Sequence, residues 1–139
     1  MSDLLTLHRY YIWANRMRDH FDRALGEFMQ LGKRITDSER ATKFFAGDPG
    51  IFMSYWYGGL YVVVEGWREL GLHDPDIDRL IDSPNTELLR RYRNGAFHFQ
   101  RNYFDERFHG FIEEEGSAFW VRELNRSLGR FFLQKFSPG

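Results

Sequence analysis

Apolar residues recur at intervals of three and four positions over most of the chain, which is the period of amphipathic helices. The pattern predicts long helices over four segments: Asp3–Phe28, Pro49–Leu70, Pro84–Tyr103 and Ala118–Lys135. Shorter helices are predicted near three others: Ser38–Phe45, Pro75–Ile81 and Asp105–Glu115. We therefore expect an all-α fold, a single-domain helical bundle of four to five main helices over residues 1–139.

Capping residues mark the predicted helix starts. A side chain able to accept a hydrogen bond precedes a proline in Asp48-Pro49, Asp74-Pro75 and Ser83-Pro84. Such pairs are typical of an N-cap followed by proline in the first helical turn. Gly71 follows the second long segment and is expected to end it.

The run Tyr61-Val62-Val63-Val64 is β-branched and aromatic, so it also fits a strand. We favour a helix, because the surrounding apolar run is too long for one strand and has no pairing partner nearby. Gly58 and Gly59 precede this run. They are expected to be a helix packing or kink site, since no glycine-rich phosphate loop surrounds them.

Aromatic residues make up 18% of the chain, which is more apolar surface than a lone helical domain of this size needs to bury. An interface with a partner is one use for such an excess. The four tryptophans are predicted to lie in the core: Trp13, Trp56, Trp67 and Trp120.

The net charge of −1 argues against a bulk polyanion binder. Arginine outnumbers lysine 16 to 3, and arginine suits bidentate contacts with phosphate or carboxylate. Genomic base composition explains the same bias equally well. The absence of cysteine excludes disulfides, and no signal peptide or membrane span is recognisable. A cytoplasmic location without membrane contact is therefore expected.

The third predicted long helix has two faces. Its core stripe is predicted to comprise Leu88, Leu89, Tyr92, Ala96, Phe99 and Tyr103. The opposite stripe holds Arg90, Asn94, Phe97, His98 and Arg101, and Arg93 lies at the border. A polar stripe with a phenylalanine in its middle is typical of a surface that meets another surface.

The polar residues of this segment have the chemistry of RNA cleavage without a metal. Histidine can move a proton near neutral pH, arginine can stabilise a phosphorane, and asparagine can orient either one. His98, Arg93 and Asn94 are the candidates for these roles. The spacing alone favours a simpler interpretation, a solvated face that carries one packed phenylalanine.

The sequence Arg93-Asn94, three residues and then His98 resembles the motif of HEPN (higher eukaryotes and prokaryotes nucleotide-binding) domains. The resemblance implies a homodimer of helical bundles in which two motifs share one cleft. Many such domains are ribonucleases of toxin or defence systems, whereas others only bind RNA, nucleotides or proteins. It implies that His98 is the acid/base residue, Arg93 the phosphate-stabilising residue and Asn94 the orienting residue.

The chain departs from one HEPN subgroup. In those toxins a tyrosine two positions after the histidine is modified by a partner nucleotidyltransferase, and Gln100 stands there in this chain. Regulation by that route is therefore not expected.

Glu65, Arg90 and Arg101 are candidate supporting residues. Glu65 follows an apolar run, and it has two interpretations. In the first, it pairs with Arg93 or orients His98. In the second, it faces solvent or pairs with a structural arginine. We slightly favour the second interpretation. No metal and no cofactor are expected, because no two histidines have the four-residue spacing of a helical metal site.

Three functions remain open from the sequence. The first is a homodimeric, metal-independent endoribonuclease. The second is a non-catalytic module that binds RNA, a nucleotide or a protein partner. The third is a purely structural dimer in which Arg93 and His98 bridge acidic groups.

Overall fold

Helices account for most of the chain in the computed structural model, which describes residues 2–32, 34–103, 105–112, 114 and 116–136. No strand occurs in those ranges. The helices are α1 (Asp3–Leu31), α2 (Asp37–Ala46), α3 (Asp48–Glu69), α4 (Pro75–Ile81), α5 (Asn85–Phe97), α6 (Glu106–Ile112) and α7 (Ser117–Phe136). The predicted all-α helical bundle is confirmed, and the strand alternative for Tyr61–Val64 is wrong because these residues lie within α3.

The helices pack around α3. Helix α1 lies against α3 over the longest shared surface, and α2 and α5 also pack on α3. Helix α7 contacts α1, α4 and α6, while α6 packs against α5. Within the described ranges, no helix is both long and apolar enough to cross a membrane. This arrangement places α1, α3 and α5 side by side.

Large aromatic side chains fill the core. Trp56, Trp67 and Trp120 are buried as predicted, and each removes a large apolar area from water. The prediction is wrong for Trp13, whose surface is 56% exposed. The buried positions of α1 are Leu7, Tyr11, Ala14, Phe21 and Ala24, and Trp13 falls outside this stripe.

The predicted capping residues differ in outcome. Asp74 caps α4 by accepting hydrogen bonds from the backbone N–H groups of Asp76 and Ile77. Ser83 Oγ accepts one from the N–H of Asn85, but the N-cap of α5 is Pro84, one residue after the predicted position. The prediction for Asp48 is wrong: it is the first residue of α3, whose cap makes no side-chain hydrogen bond.

Asn125 joins three helices through hydrogen bonds inside the core. Its side-chain oxygen accepts from Trp56 Nε1 of α3 at 3.0 Å, and its Nδ2 donates to Asn15 Oδ1 of α1 at 3.0 Å. Its backbone carbonyl accepts from the Tyr11 hydroxyl at 3.1 Å. Asn125 is almost fully buried, and the buried N–H of Trp56 depends on its side-chain oxygen for an acceptor.

We predict that Asn125→Ala lowers the free energy of unfolding by about 2–3 kcal/mol, because the buried Trp56 N–H loses its acceptor. Urea unfolding followed by circular dichroism measures the change. The matched control is Arg126→Ala, an exposed neighbour on α7, which should change stability by less than about 0.5 kcal/mol. Equal, small effects of both variants would contradict this role of Asn125.

Two carboxylates, Asp78 of α4 and its cap Asp74, attach α4 to α3 and α7. Asp78 accepts a hydrogen bond from Trp67 Nε1 at 3.0 Å, and Asp74 accepts from Arg130 at 3.0 Å. The Trp67 hydrogen bond, assisted by His73, holds the pKa of Asp78 below its usual range. Burial raises the pKa of Asp74, but the hydrogen bonds from Arg130 and Ile77 outweigh it and lower the pKa.

A carboxylate with a lowered pKa stabilises the folded state above its unfolded pKa of about 3.9, and this contribution disappears as the pH falls through the folded pKa. Asp78→Asn keeps an acceptor for Trp67 but removes the charge. We therefore predict that the variant is less stable than the wild type at pH 7 and that the difference shrinks as the pH falls below about 4.

Urea unfolding at pH 7, 5 and 3 tests this dependence. The control is Gln30→Ala, an exposed and uncharged position on α1, whose stability difference should not vary with pH. A constant difference for Asp78→Asn across the three pH values would show that its carboxylate charge does not stabilise the fold.

Candidate functional site

Helix α5 ends at Phe97, so its predicted extension to Tyr103 is wrong. His98 adopts an extended conformation with φ −123° and ψ 129°, although its N–H still donates to the Asn94 carbonyl at 3.1 Å. The side chain of His98 therefore does not lie one helical turn beyond Asn94, as a continuous helix would place it. The early end lets the chain turn so that α6 packs back against α5.

The predicted core stripe of this segment is correct only as far as the helix continues. Leu89 and Tyr92 are fully buried, and Leu88 and Ala96 pack against the core. Phe99 is 91% exposed and Tyr103 is 54% exposed, so their assignment to the core is wrong. Helical periodicity no longer applies to them because the helix has already ended.

The segment after α5 is held in place by side-chain hydrogen bonds. Gln100 Nε2 donates to the carbonyl of His98 at 2.9 Å, and Arg107 of α6 donates to Gln100 Oε1. The imidazole of His98 is exposed, and it has no hydrogen-bond or ion-pair partner among the described residues. His98 therefore has a supported backbone and an accessible ring.

Arg93 has three neighbours that set the orientation of its guanidinium group. It donates to Glu65 Oε1 at 2.7 Å and to Asn94 Oδ1 at 3.2 Å. Its Cζ lies 4.9 Å from the ring centroid of Tyr61, within the range of a cation–π contact. Glu65 thus pairs with Arg93, as one of the two sequence interpretations allowed, and it also remains exposed to solvent, as the other expected.

Tyr61 forms the support beneath this guanidinium group. Its ring is buried, and burial, with Glu65 nearby, raises the pKa of its hydroxyl. Tyr61 is therefore neutral at physiological pH and presents a flat aromatic face to Arg93.

Arg93 and His98 line the same groove between α1, α3 and α5, which has a volume of about 550 Å³. The other lining residues are apolar, aromatic or glycine: Tyr10, Trp13, Ala14, Met17, Tyr55, Gly58, Gly59, Val62 and Phe97. Two of the three candidate catalytic residues are thus brought to one surface, whereas Asn94 does not line the groove and instead accepts a hydrogen bond from Arg93.

The expectation that the glycine pair is a packing site is confirmed. A Cβ at Gly58 would overlap the ring of Phe97, and a Cβ at Gly59 would lie 3.2 Å from that of Ala14. The bare backbone of α3 therefore allows Phe97 to lie on it, and Phe97 immediately precedes His98. The pair also lets α1 approach α3 closely.

Comparison with known proteins assigns no family. No protein-family model matches the chain, and no curated protein or solved structure is similar to it at a significant level. The geometry of the groove is therefore the basis for a functional proposal.

The remaining candidate residues lie outside the groove. Arg90 pairs with Glu87 one turn earlier on α5, and Arg101 is exposed in the segment after it. No group of three or more histidine, aspartate or glutamate residues is arranged to hold a metal ion in the part of the chain that the structure describes.

Sequence reasoning missed four residues that shape the site: Trp13, Tyr55, Tyr61 and Gln100. A signal for Trp13 was present, because it falls off the stripe defined by Leu7, Tyr11 and Ala14. No local signal identifies Tyr61 as the support of Arg93, since that contact joins two helices.

We predict that the Glu65–Arg93 pair contributes little to stability, because the Glu65 side chain is 49% exposed. Exposed ion pairs are worth about 0–1 kcal/mol. A double-mutant cycle with Glu65→Gln, Arg93→Gln and both together, measured by urea unfolding, gives the coupling energy. A coupling above about 2 kcal/mol would instead identify Arg93 as a structural residue.

Proposed function

We propose that this chain is a metal-independent endoribonuclease of HEPN type that acts as a homodimer. The observation that carries the proposal is that Arg93 and His98 line one groove. A proton-transfer group and a phosphate-binding group at a single surface are the minimum set for cleavage of RNA through its own 2′-hydroxyl.

In the proposed reaction His98 takes the proton of a ribose 2′-hydroxyl, and the oxygen attacks the adjacent phosphorus. The bond from phosphorus to the 5′-oxygen then breaks. Solvent gives a proton to that leaving oxygen. The products are a 2′,3′-cyclic phosphate and a 5′-hydroxyl, and His98 returns the proton it has taken to solvent.

Arg93 stabilises the additional negative charge of the phosphorane. Its ion pair with Glu65 is partly exposed, so exchanging that carboxylate for an RNA phosphate costs little free energy. The contacts with Tyr61 and Asn94 keep the guanidinium group oriented during the exchange. Glu65 is thus a resident anion that occupies the phosphate position when RNA is absent.

His98 suits the proton-transfer role because its ring is exposed and has no partner among the described residues. An imidazole ring can accept or donate a proton, which is the capacity that the reaction requires. The hydrogen bond from Gln100 to the His98 carbonyl supports the backbone beneath the ring.

A second candidate function is a non-catalytic module that binds RNA, a nucleotide or a protein partner. The observation that favours it is that Arg93 already has a carboxylate partner in Glu65, while the groove beside it is mainly aromatic. In this alternative the groove recognises its ligand and no bond is broken.

We predict that the wild type cleaves a mixed RNA pool in the presence of a chelator, with 2′,3′-cyclic phosphate ends, and that His98→Ala and Arg93→Ala each lower the rate by about 100-fold or more. Gel separation and mass spectrometry of the products measure both the rate and the chemistry of the ends.

Two variants serve as matched controls. His73→Ala removes an exposed histidine and Arg79→Ala an exposed arginine, and neither residue lines the groove. Both should cleave like the wild type. If folded wild-type protein cuts no RNA, the binding module becomes the leading function; if His98→Ala cuts normally, His98 is not the acid/base residue.

A further inference from the structure

The groove beside Arg93 has two aromatic walls. On α1, the rings of Tyr10 and Trp13 meet edge to face with centroids 5.5 Å apart. On the opposite side, Tyr55 of α3 and Phe97 of α5 meet edge to face with centroids 5.4 Å apart. Trp13, Tyr55 and Phe97 are all about half exposed, so both walls present ring surface to solvent.

The floor between the walls is made of small residues. Ala14, Gly58 and Gly59 leave the backbone of α1 and α3 close to the base of the groove, with Val62 beside them. The volume of about 550 Å³ falls within the range of small-molecule sites. A planar ring can therefore enter between the aromatic walls without displacing a large side chain.

The charges around the groove are unevenly placed. Arg93 and His98 lie at the α5 side, and Arg9 stacks on the α1 wall. Asp3, Glu65 and Glu69 line a neighbouring notch that shares Tyr10 and Val62 with the groove, and Glu65 is the ion-pair partner of Arg93. An anionic group that displaces Glu65 from Arg93 is attracted to the α5 side, whereas the carboxylates of the notch repel it. The surface thus suits a ligand with an aromatic ring at one end and a phosphate at the other.

We propose that this groove is a nucleobase subsite for single-stranded RNA, in which one unpaired base lies between Trp13 and Tyr55 while its phosphate contacts Arg93 and His98. The inference rests on the proposed RNA-directed function and adds the residues that hold the substrate. A base within a duplex is stacked on its neighbours and cannot enter, so the subsite selects unpaired RNA.

A second copy of the chain fits the groove less well, so the interface of the proposed homodimer is expected to lie outside it. In a two-fold symmetric dimer through this surface, equivalent residues face their own copies or near neighbours. The contact would bring two sets of Arg9, Arg93 and His98 together, and Arg9 already stacks on Tyr10 and Trp13 at 5.1 and 4.9 Å. Like charges at such an interface oppose association.

Trp13 provides a direct readout of the groove. It is exposed, whereas Trp56, Trp67 and Trp120 are buried. A ligand that quenches tryptophan fluorescence by contact at the surface therefore quenches the emission of Trp13. The probe is a mixed-sequence RNA octamer with 2′-O-methyl groups, which cannot be cleaved through the 2′-hydroxyl. We expect it to quench the Trp13 emission on binding, in a buffer of fixed salt concentration.

The affinity of the variants is measured by anisotropy of the same octamer carrying a fluorescent label. Trp13→Ala and Tyr55→Ala should each weaken binding by about tenfold or more, as expected for loss of base stacking. Trp13→Phe should retain most of the affinity because it keeps an aromatic face. The matched control is Phe119→Ala, an exposed aromatic on α7 outside the groove, which should bind like the wild type.

The proposal is overturned if Trp13→Ala and Tyr55→Ala bind the octamer like Phe119→Ala. It is also overturned by a second pair of results: light scattering shows that Trp13→Ala converts a dimer into a monomer, and RNA does not quench the Trp13 emission of the wild type. A second copy of the chain then covers the groove. Cleavage of unmodified RNA is scored separately. If binding depends on Trp13 but RNA is not cleaved, the base subsite is supported and the nuclease function is rejected. If RNA is cleaved but binding does not depend on Trp13, the nuclease function is supported and the subsite is rejected.

Discussion

The buried hydrogen bonds of Asn125 on α7 set the relative positions of α1 and α3, two of the three helices that form the groove. The side chain of Asn125 holds Trp56 of α3 and Asn15 of α1, and its carbonyl holds the Tyr11 hydroxyl. Trp56 is the sequence neighbour of Tyr55, and Tyr11 and Asn15 bracket Trp13 on α1. The two walls of the groove are therefore anchored by the same buried amide, since a buried polar group keeps its partners at defined positions.

Close approach of α1 and α3 is the second requirement of the groove. A glycine pair on α3 allows it, because Gly59 accommodates Ala14 and Gly58 accommodates the ring of Phe97. The resulting surface combines small residues at the base with large aromatic residues at the rim. The same glycines thus serve the packing of the bundle and the position of the segment that carries His98.

The local elements were largely predictable because they depend on nearby residues. The bounds of α4 and the capping role of Asp74 follow from short-range hydrogen bonds. The residue types and spacing of Arg93, Asn94 and His98 were enough to identify that segment as a candidate site. The end of α5 was not, because there the chain makes contacts with other helices: Phe97 rests on Gly58 of α3, and Gln100 binds Arg107 of α6.

The sequence by itself determined the all-α class, most helix bounds and which side chains of α5 have the chemistry of a candidate site. These properties arise from periodicity and capping, which act within a few residues. Only the tertiary structure decided that Arg93 pairs with Glu65 and rests on Tyr61, and that Trp13 and Tyr55 form the walls of a groove beside it. Those relations depend on how α1, α3 and α5 pack, which is set by contacts between residues distant in the chain.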